Sequence, residues 1–192
     1  YYAHYVHRDA AGNDSSRVSS SSFTTTSAAM YTRVDAVDTI GGQDIMVLVP
    51  AGGSANPYNS AVSTRVIIYS HGADESKDAL LVDSLKTACV NALLDAGYIL
   101  AGTHAHGNNW GTQAGTDDYV ALEKYLRDNY NVKGVAVWGQ SMGGLTGLSM
   151  ISQGKFPVVG YLGTYPACSL ASMYAGGGGS YASQIASVFG VT

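Results

Sequence analysis

The sequence predicts an α/β domain built on a mainly parallel sheet with helices on both faces. Three observations carry that prediction. Short β-rich runs alternate with longer segments of helical apolar period, the pattern of strands joined by crossover helices. The 192 residues, 46% apolar and 12% charged, are enough for one globular domain with a substantial core and too few for two of ordinary size. No internal repeat of about 20–50 residues exists, which excludes solenoids and propellers.

Residues 1–29 read as a polar N-terminal arm or linker. Within them the stretch 12–29 is a low-complexity run of Ser, Thr, Gly and Asn. The chain begins Tyr1-Tyr2-Ala3-His4, with no initiator Met and no charged-then-apolar leader, so a processed or excerpted piece is expected. The main domain is placed at 30–192. Its strands are expected at Tyr31–Val37, Asp44–Val49, Val66–Ser70, Tyr98–Gly102, Gly134–Trp138 and Val158–Gly163, and its helices at Lys77–Ala96, Asp117–Asn129 and Met142–Gln153. Leu81, Leu85, Ala88, Cys89, Ala92 and Leu93 fall on one face of the first helix at nearly the helical period, and Gly97 supplies its left-handed cap. Beyond Pro166 the run Gly176–Gly179 breaks the chain before a short amphipathic pattern of Tyr181, Ile185, Val188 and Phe189. The sheet is therefore expected to lack its last one or two strands.

The net charge of −4 and the scattered ten Lys and Arg give no basic surface for nucleic-acid phosphates, and no apolar run is long enough for a membrane span. Nucleic acid is excluded as an expected partner. Cys89 and Cys168 cannot define a disulfide framework, although a bridge between them stays open. Low Lys with abundant Gly, Ser and Tyr leans towards an extracellular or particle-bound protein.

The chemistry centres on Gly139-Gln140-Ser141-Met142-Gly143, an apolar strand running through Gly-x-Ser-x-Gly into a helical pattern. A serine hydroxyl is a weak nucleophile. A sharp strand-to-helix turn exposes it and aims it at a helix N-terminus, where the Met142 amide can serve an oxyanion. Side chains at Gly139 and Gly143 would collide with the flanking strand and helix. The five-residue string alone is weak, since a chain this rich in Gly and Ser gives about 0.3 chance matches. Context strengthens it, because a second strand ends in His71-Gly72-Ala73, where the Ala73 amide is the expected second oxyanion donor. The alternative is a glycine-rich turn with an incidental serine.

His71 is read as a loop brace rather than a proton shuttle. The cluster Thr103-His104-Ala105-His106-Gly107-Asn108-Asn109-Trp110 follows another strand to the same sheet edge, so His106, Asn108 and Trp110, with Gln140, are expected to line the site. His-x-His could be half of a metal site completed by Asp117 or Asp118, but loop bracing and substrate contact are the reading adopted. No cofactor is implied.

The order strand, His-Gly loop, helix, strand, helix, strand, Gly-x-Ser-x-Gly, helix resembles the α/β-hydrolase superfamily over about residues 30–192. Within it, Thr103–Gly111 followed by Gly139–Gly144 looks like bacterial esterase or peptidase-like serine hydrolases, and related domains occur on secreted proteins and bacteriophage tails. The resemblance implies Ser141 as nucleophile, Met142 and Ala73 as oxyanion hole, and a small-molecule or polymer ester as substrate. It also implies an acid and then a histidine further along the chain. All 14 acids and five histidines precede Ser141, so that order cannot be written here. Three explanations stay open: a C-terminal continuation or another chain supplies the missing residues and strands, the domain is a noncatalytic structural or adhesive one, or His106 or His71 serves Ser141 unusually.

Overall fold

The computed structural model describes residues 4–5, 18–19, 31–37, 41–50 and 64–191, with the exception of 177. The low-complexity arm thus lies outside the described residues, apart from a two-residue antiparallel ladder between β1 (His4–Tyr5) and β2 (Val18–Ser19). The main sheet has six strands: β3 (Tyr31–Val37), β4 (Asp44–Pro50), β5 (Thr64–Ser70), β6 (Ile99–Thr103), β7 (Val132–Gln140) and β8 (Val158–Thr164). Their spatial order is β3-β4-β6-β5-β7-β8. The first two run antiparallel to their neighbours and the last four are parallel. The strand ends at Ser70, Thr103, Gln140 and Thr164 therefore share one edge, where the loops collect.

Strand alternation divides the core into two layers. Ile45, Val47, Val66, Ile68, Val135 and Val137 face α3 (Gln113–Asn129) and α4 (Met142–Ser152), which bury Tyr119, Leu122, Leu126 and Met150 against them. Met46, Leu48, Ile67, Tyr69 and Trp138 face the other way, onto α1 (Ala79–Val82) and α2 (Ser84–Asp95). With helices on both sides, the central strands are buried at nearly every position. This is the mainly parallel, doubly covered α/β architecture the sequence predicts.

Two expectations need correction. The single helix over Lys77–Ala96 is two, because Asp83 is extended (φ −99°, ψ 122°) and interrupts the ladder. That break resets the helical phase. The buried side of α2 carries Lys86, Val90 and Leu94, whereas Ala88 and Ala92 are exposed and Leu81, Cys89 and Leu93 only partly covered. The cap itself is as expected: Gly97 has φ 84°, with Gly97 N–H bonded to Leu94 O and Tyr98 N–H to Leu93 O, a Schellman pairing. Second, the segment after β8 holds two helices, α5 (Leu170–Gly176) and α6 (Gly178–Phe189), of which only the latter has a sequence signal. Both cysteines are free thiols.

At the far edge β8 pairs with β7, and no other partner exists among the described residues. Val159 and Leu162 are 72% and 45% exposed. A strand carrying such side chains beside an unpaired backbone is a surface that accepts another strand. Among the described residues no helix is long and apolar enough to cross a membrane.

Candidate active site

Ser141 is the tip of the turn between β7 and α4, with φ 49° and ψ −119°, a conformation that costs a residue with a side chain about 1–3 kcal/mol. The surroundings hold it there. Ser141 N–H donates to Thr164 O at 3.2 Å, and Ser141 O accepts from Gly144 N–H at 2.9 Å and Ala167 N–H at 2.8 Å. Close approach accounts for the glycines. A Cβ on Gly139 would lie 2.8 Å from Gly143 O, and one on Gly144 2.5 Å from Pro166 Cβ. The Ser141 hydroxyl does not cap its own helix, which leaves it available at the sheet edge.

Neither the Met142 nor the Ala73 amide has a backbone acceptor among the described residues. Met142 opens α4, so its N–H carries part of the positive end of the helix dipole. Ala73 follows β5 and packs against a third apolar cluster, formed by Trp110, Met142 and Ile185 with Leu145, Leu170, Met173 and Tyr181 around it. Met142 and Ala73 thus share one apolar wall built by α4, the 104–111 loop, α5 and α6. α5 and α6 also leave an apolar groove of about 490 Å³ lined by Leu170, Ala171, Tyr174, Ile185, Phe189 and Val191.

The other expected lining residues divide between this wall and bracing bonds to neighbouring loops. His71 is fully buried, its ring nitrogens facing Gly72 O at 2.8 Å and His104 O at 3.0 Å, so it braces the two loops together. His106 places Nδ1 2.5 Å from Oδ2 of buried Asp118 on α3. Its loop also bonds to the start of β4, through His106 N–H to Gln43 Oε1 and His104 N–H to Asp44 O. Since β5 separates β6 from β7, the ends of those two strands are about 10 Å apart. The loop of His106 is thus anchored on the β4 side of β6, with β5 between it and β7. No cluster of three metal-binding side chains occurs among the described residues, and Asp117 pairs with Lys155.

Asn108 exchanges hydrogen bonds with Asp74, donating from Nδ2 to Oδ1 and accepting from Asp74 N–H, both at 2.7 Å. Trp110 is buried, with its indole N–H on Gln184 Oε1 at 3.1 Å and its ring edge-on to Tyr181. Gln184 Nε2 reaches back to the Asp74 carboxylate at 3.3 Å, tying α6 to the loop after β5. Gln140 corrects an expectation: it does not line the open edge but is buried beneath it. Its amide joins Glu75, Tyr69 and Lys86 in a polar cluster for which the sequence offers no signal beyond one lysine in an otherwise apolar helix face. Tyr165 is a further neighbour of the serine. It lies in a short bridge pinned at both ends to the Ser141 backbone, with φ 37° and a largely exposed ring.

Searched by sequence, the chain matches no family model and no curated protein. Solved structures match it by shape. The fluorophosphonate-binding serine hydrolase F of Staphylococcus aureus aligns with a TM-score of 0.60 at 12% identity, over 75% of this chain and 60% of that one. A ferulic acid esterase from Anaeromyces mucronatus aligns at 0.51 and 17% identity, over 77% of this chain and 62% of the other. For a bacterial brefeldin A esterase the values are 0.53 and 20%, over 81% and 45%. The chain thus spans between 45% and 62% of the length of these structures, and at such identities the likeness is one of fold.

Proposed function

On the α/β-hydrolase fold that this chain adopts, we propose that Ser141 is the nucleophile of a serine hydrolase that cleaves carboxylic esters through an acyl-enzyme. The observation that carries the reading is the strained Ser141 backbone at a strand-to-helix turn, beside two amides without backbone acceptors. Strain of this kind persists where the surroundings over-determine it and gathers at reactive sites. In the proposed reaction Ser141 Oγ adds to the ester carbonyl while its proton passes to a base. The Met142 and Ala73 amides hold the resulting oxyanion, and the alkoxide leaves as the alcohol with that proton. Water then repeats the sequence on the acyl-enzyme and releases the acid.

The base and its orienting acid are proposed to come from outside residues 1–192, because His71 is buried between two carbonyls and the loop of His106 is tied to the β4 side of the sheet, with β5 between its strand and that of Ser141. The same source would cover the open edge of β8. Substrates of the structural relatives, such as ferulic acid esters, support an ester as the substrate class. The competing reading is a noncatalytic domain that keeps the fold for attachment or assembly. It is favoured by the exposed Val159 and Leu162 on the open edge of β8, a surface suited to assembly.

Incubation of the natural material with a fluorophosphonate probe, followed by intact mass and peptide mapping, separates the two. Label on Ser141 in a longer or two-chain species supports the hydrolase. A species ending near Thr192 that takes no label overturns it and leaves the scaffold reading.

A further inference from the structure

Glu75 lies outside every motif in the sequence, yet its carboxylate collects four donors. Oε2 accepts from Gly72 N–H and the Tyr69 hydroxyl, both at 3.0 Å. Oε1 accepts from Gln140 Nε2 at 2.8 Å and from Lys86 Nζ at 3.1 Å. Lys86 also donates to the Tyr69 oxygen at 3.2 Å, and Tyr69 shares its single proton between Glu75 and Gln140 Oε1, 3.1 Å away. Two of these partners are immediate neighbours of the proposed chemistry: Gly72 precedes Ala73, and Gln140 precedes Ser141.

We propose that Glu75 is a positioning residue that locks the 71–75 loop to the nucleophile turn, with Lys86 as its buried counter-ion. The proposal rests on the hydrolase reading for its catalytic consequence. The Glu75 carboxylate holds the Gly72 N–H and the Glu75 N–H holds Gly72 O at 3.3 Å, so the peptides on both sides of Gly72 are gripped by one residue, and the second of them carries the Ala73 N–H. The same carboxylate holds Gln140, so the second oxyanion donor and the nucleophile are referenced to one group. Lys86 on α2 supplies the opposite charge for this partly buried carboxylate. An ammonium 5% exposed is costly unless paired, and Glu75, with Asp83 at 3.9 Å, supplies the opposite charge. A neutral amide oxygen can accept from two donors at most, whereas a carboxylate has acceptor sites for all four.

The test uses three variants of the full chain. Replacing both charges by an apolar pair of similar size, Glu75→Met with Lys86→Met, removes the acceptor without stranding an ion. Glu75→Gln with Lys86→Met returns one acceptor oxygen to the Gly72 amide. Glu75→Ala alone is the third. Thermal unfolding checks folding, amide hydrogen exchange reports Gly72, and fluorophosphonate labelling reports Ser141. The expected result for the methionine pair is a folded protein with Gly72 exchange at least tenfold faster and labelling about 100-fold slower, the scale of a misplaced catalytic group. The glutamine–methionine pair should recover most of both.

Wild-type exchange and labelling in the methionine pair would overturn the proposal and leave Glu75–Lys86 as a structural ion pair. If the methionine pair does not fold, Glu75→Ala, which leaves the Gly72 amide no side-chain acceptor at this position, decides: unaltered exchange and labelling overturn the proposal, and faster Gly72 exchange with slower labelling supports it. If wild type takes no label, the hydrolase reading fails by itself, and Gly72 exchange still decides whether Glu75 holds the loop.

Discussion

Gly143 lies so close to Ser70 that a Cβ on it would overlap the Ser70 carbonyl oxygen and sit 2.6 Å from that of His71. The first turn of α4 is packed directly on the end of β5, which brings Ser141 beside the 71–75 loop. Backbone carbonyls cannot move aside as a flexible side chain can. Gly143→Ala is therefore expected to cost at least about 4 kcal/mol or to prevent folding. Gly154→Ala, at φ 60° with nothing within 4 Å, should cost only the left-handed backbone penalty of about 1–2 kcal/mol. Urea unfolding of the pair checks the contrast.

Ser141→Gly should raise stability while removing the nucleophile. Glycine adopts φ 49°, ψ −119° without a Cβ penalty, and the relief of about 1–3 kcal/mol is only partly offset by the greater freedom of glycine in the unfolded chain. An increase of about 1 kcal/mol in unfolding free energy is expected, with no fluorophosphonate label. A loss of stability would show that the turn is not strained.

Trp110→Ala should loosen α5 and α6 from the sheet edge. The substitution removes a buried indole, its hydrogen bond to Gln184 and its edge-on contact with Tyr181, at a cost of about 3–5 kcal/mol. Limited proteolysis reads the effect, with faster cleavage expected first within residues 165–191.

Acid should weaken the fold partly through Glu75. Burial by itself would raise this carboxyl, but the Gly72 amide, the Lys86 ammonium and the Tyr69 hydroxyl together hold it below its ordinary 4.5. A folded-state value below the unfolded one means that the stabilisation is complete above 4.5 and is lost as the pH falls through the lower folded value. Asp78, where burial opposes bonds from Lys77 and Arg33, contributes in the same direction. The Glu75→Met, Lys86→Met protein should show a shallower loss of urea midpoint than wild type between about pH 5 and pH 3.

The helix at 77–96 and the histidines show how far local pattern reaches. Apolar spacing located that helix but placed its buried face one residue off, because the break at Asp83 depends on how α1 and α2 each meet the sheet. The strands were legible because a doubly covered strand must be apolar along its length, and β5 and β7 are. His106 was grouped with the site because its loop leaves the correct sheet edge. Its partner, Asp118, is on α3, and the loop turns towards β4.

What the sequence determined by itself was the α/β order, the Gly-x-Ser-x-Gly turn and the His71-Gly72-Ala73 loop. Each depends on steric and periodic rules that act over a few residues. Only the tertiary structure decided that Gln140 turns inward, that Lys86 is buried, and that Glu75 joins the two loops. Those contacts link Gln140 to residues 65 and 71 positions earlier, Glu75 and Tyr69. A buried charge carries no local pattern, since its partner is fixed by which strands lie side by side.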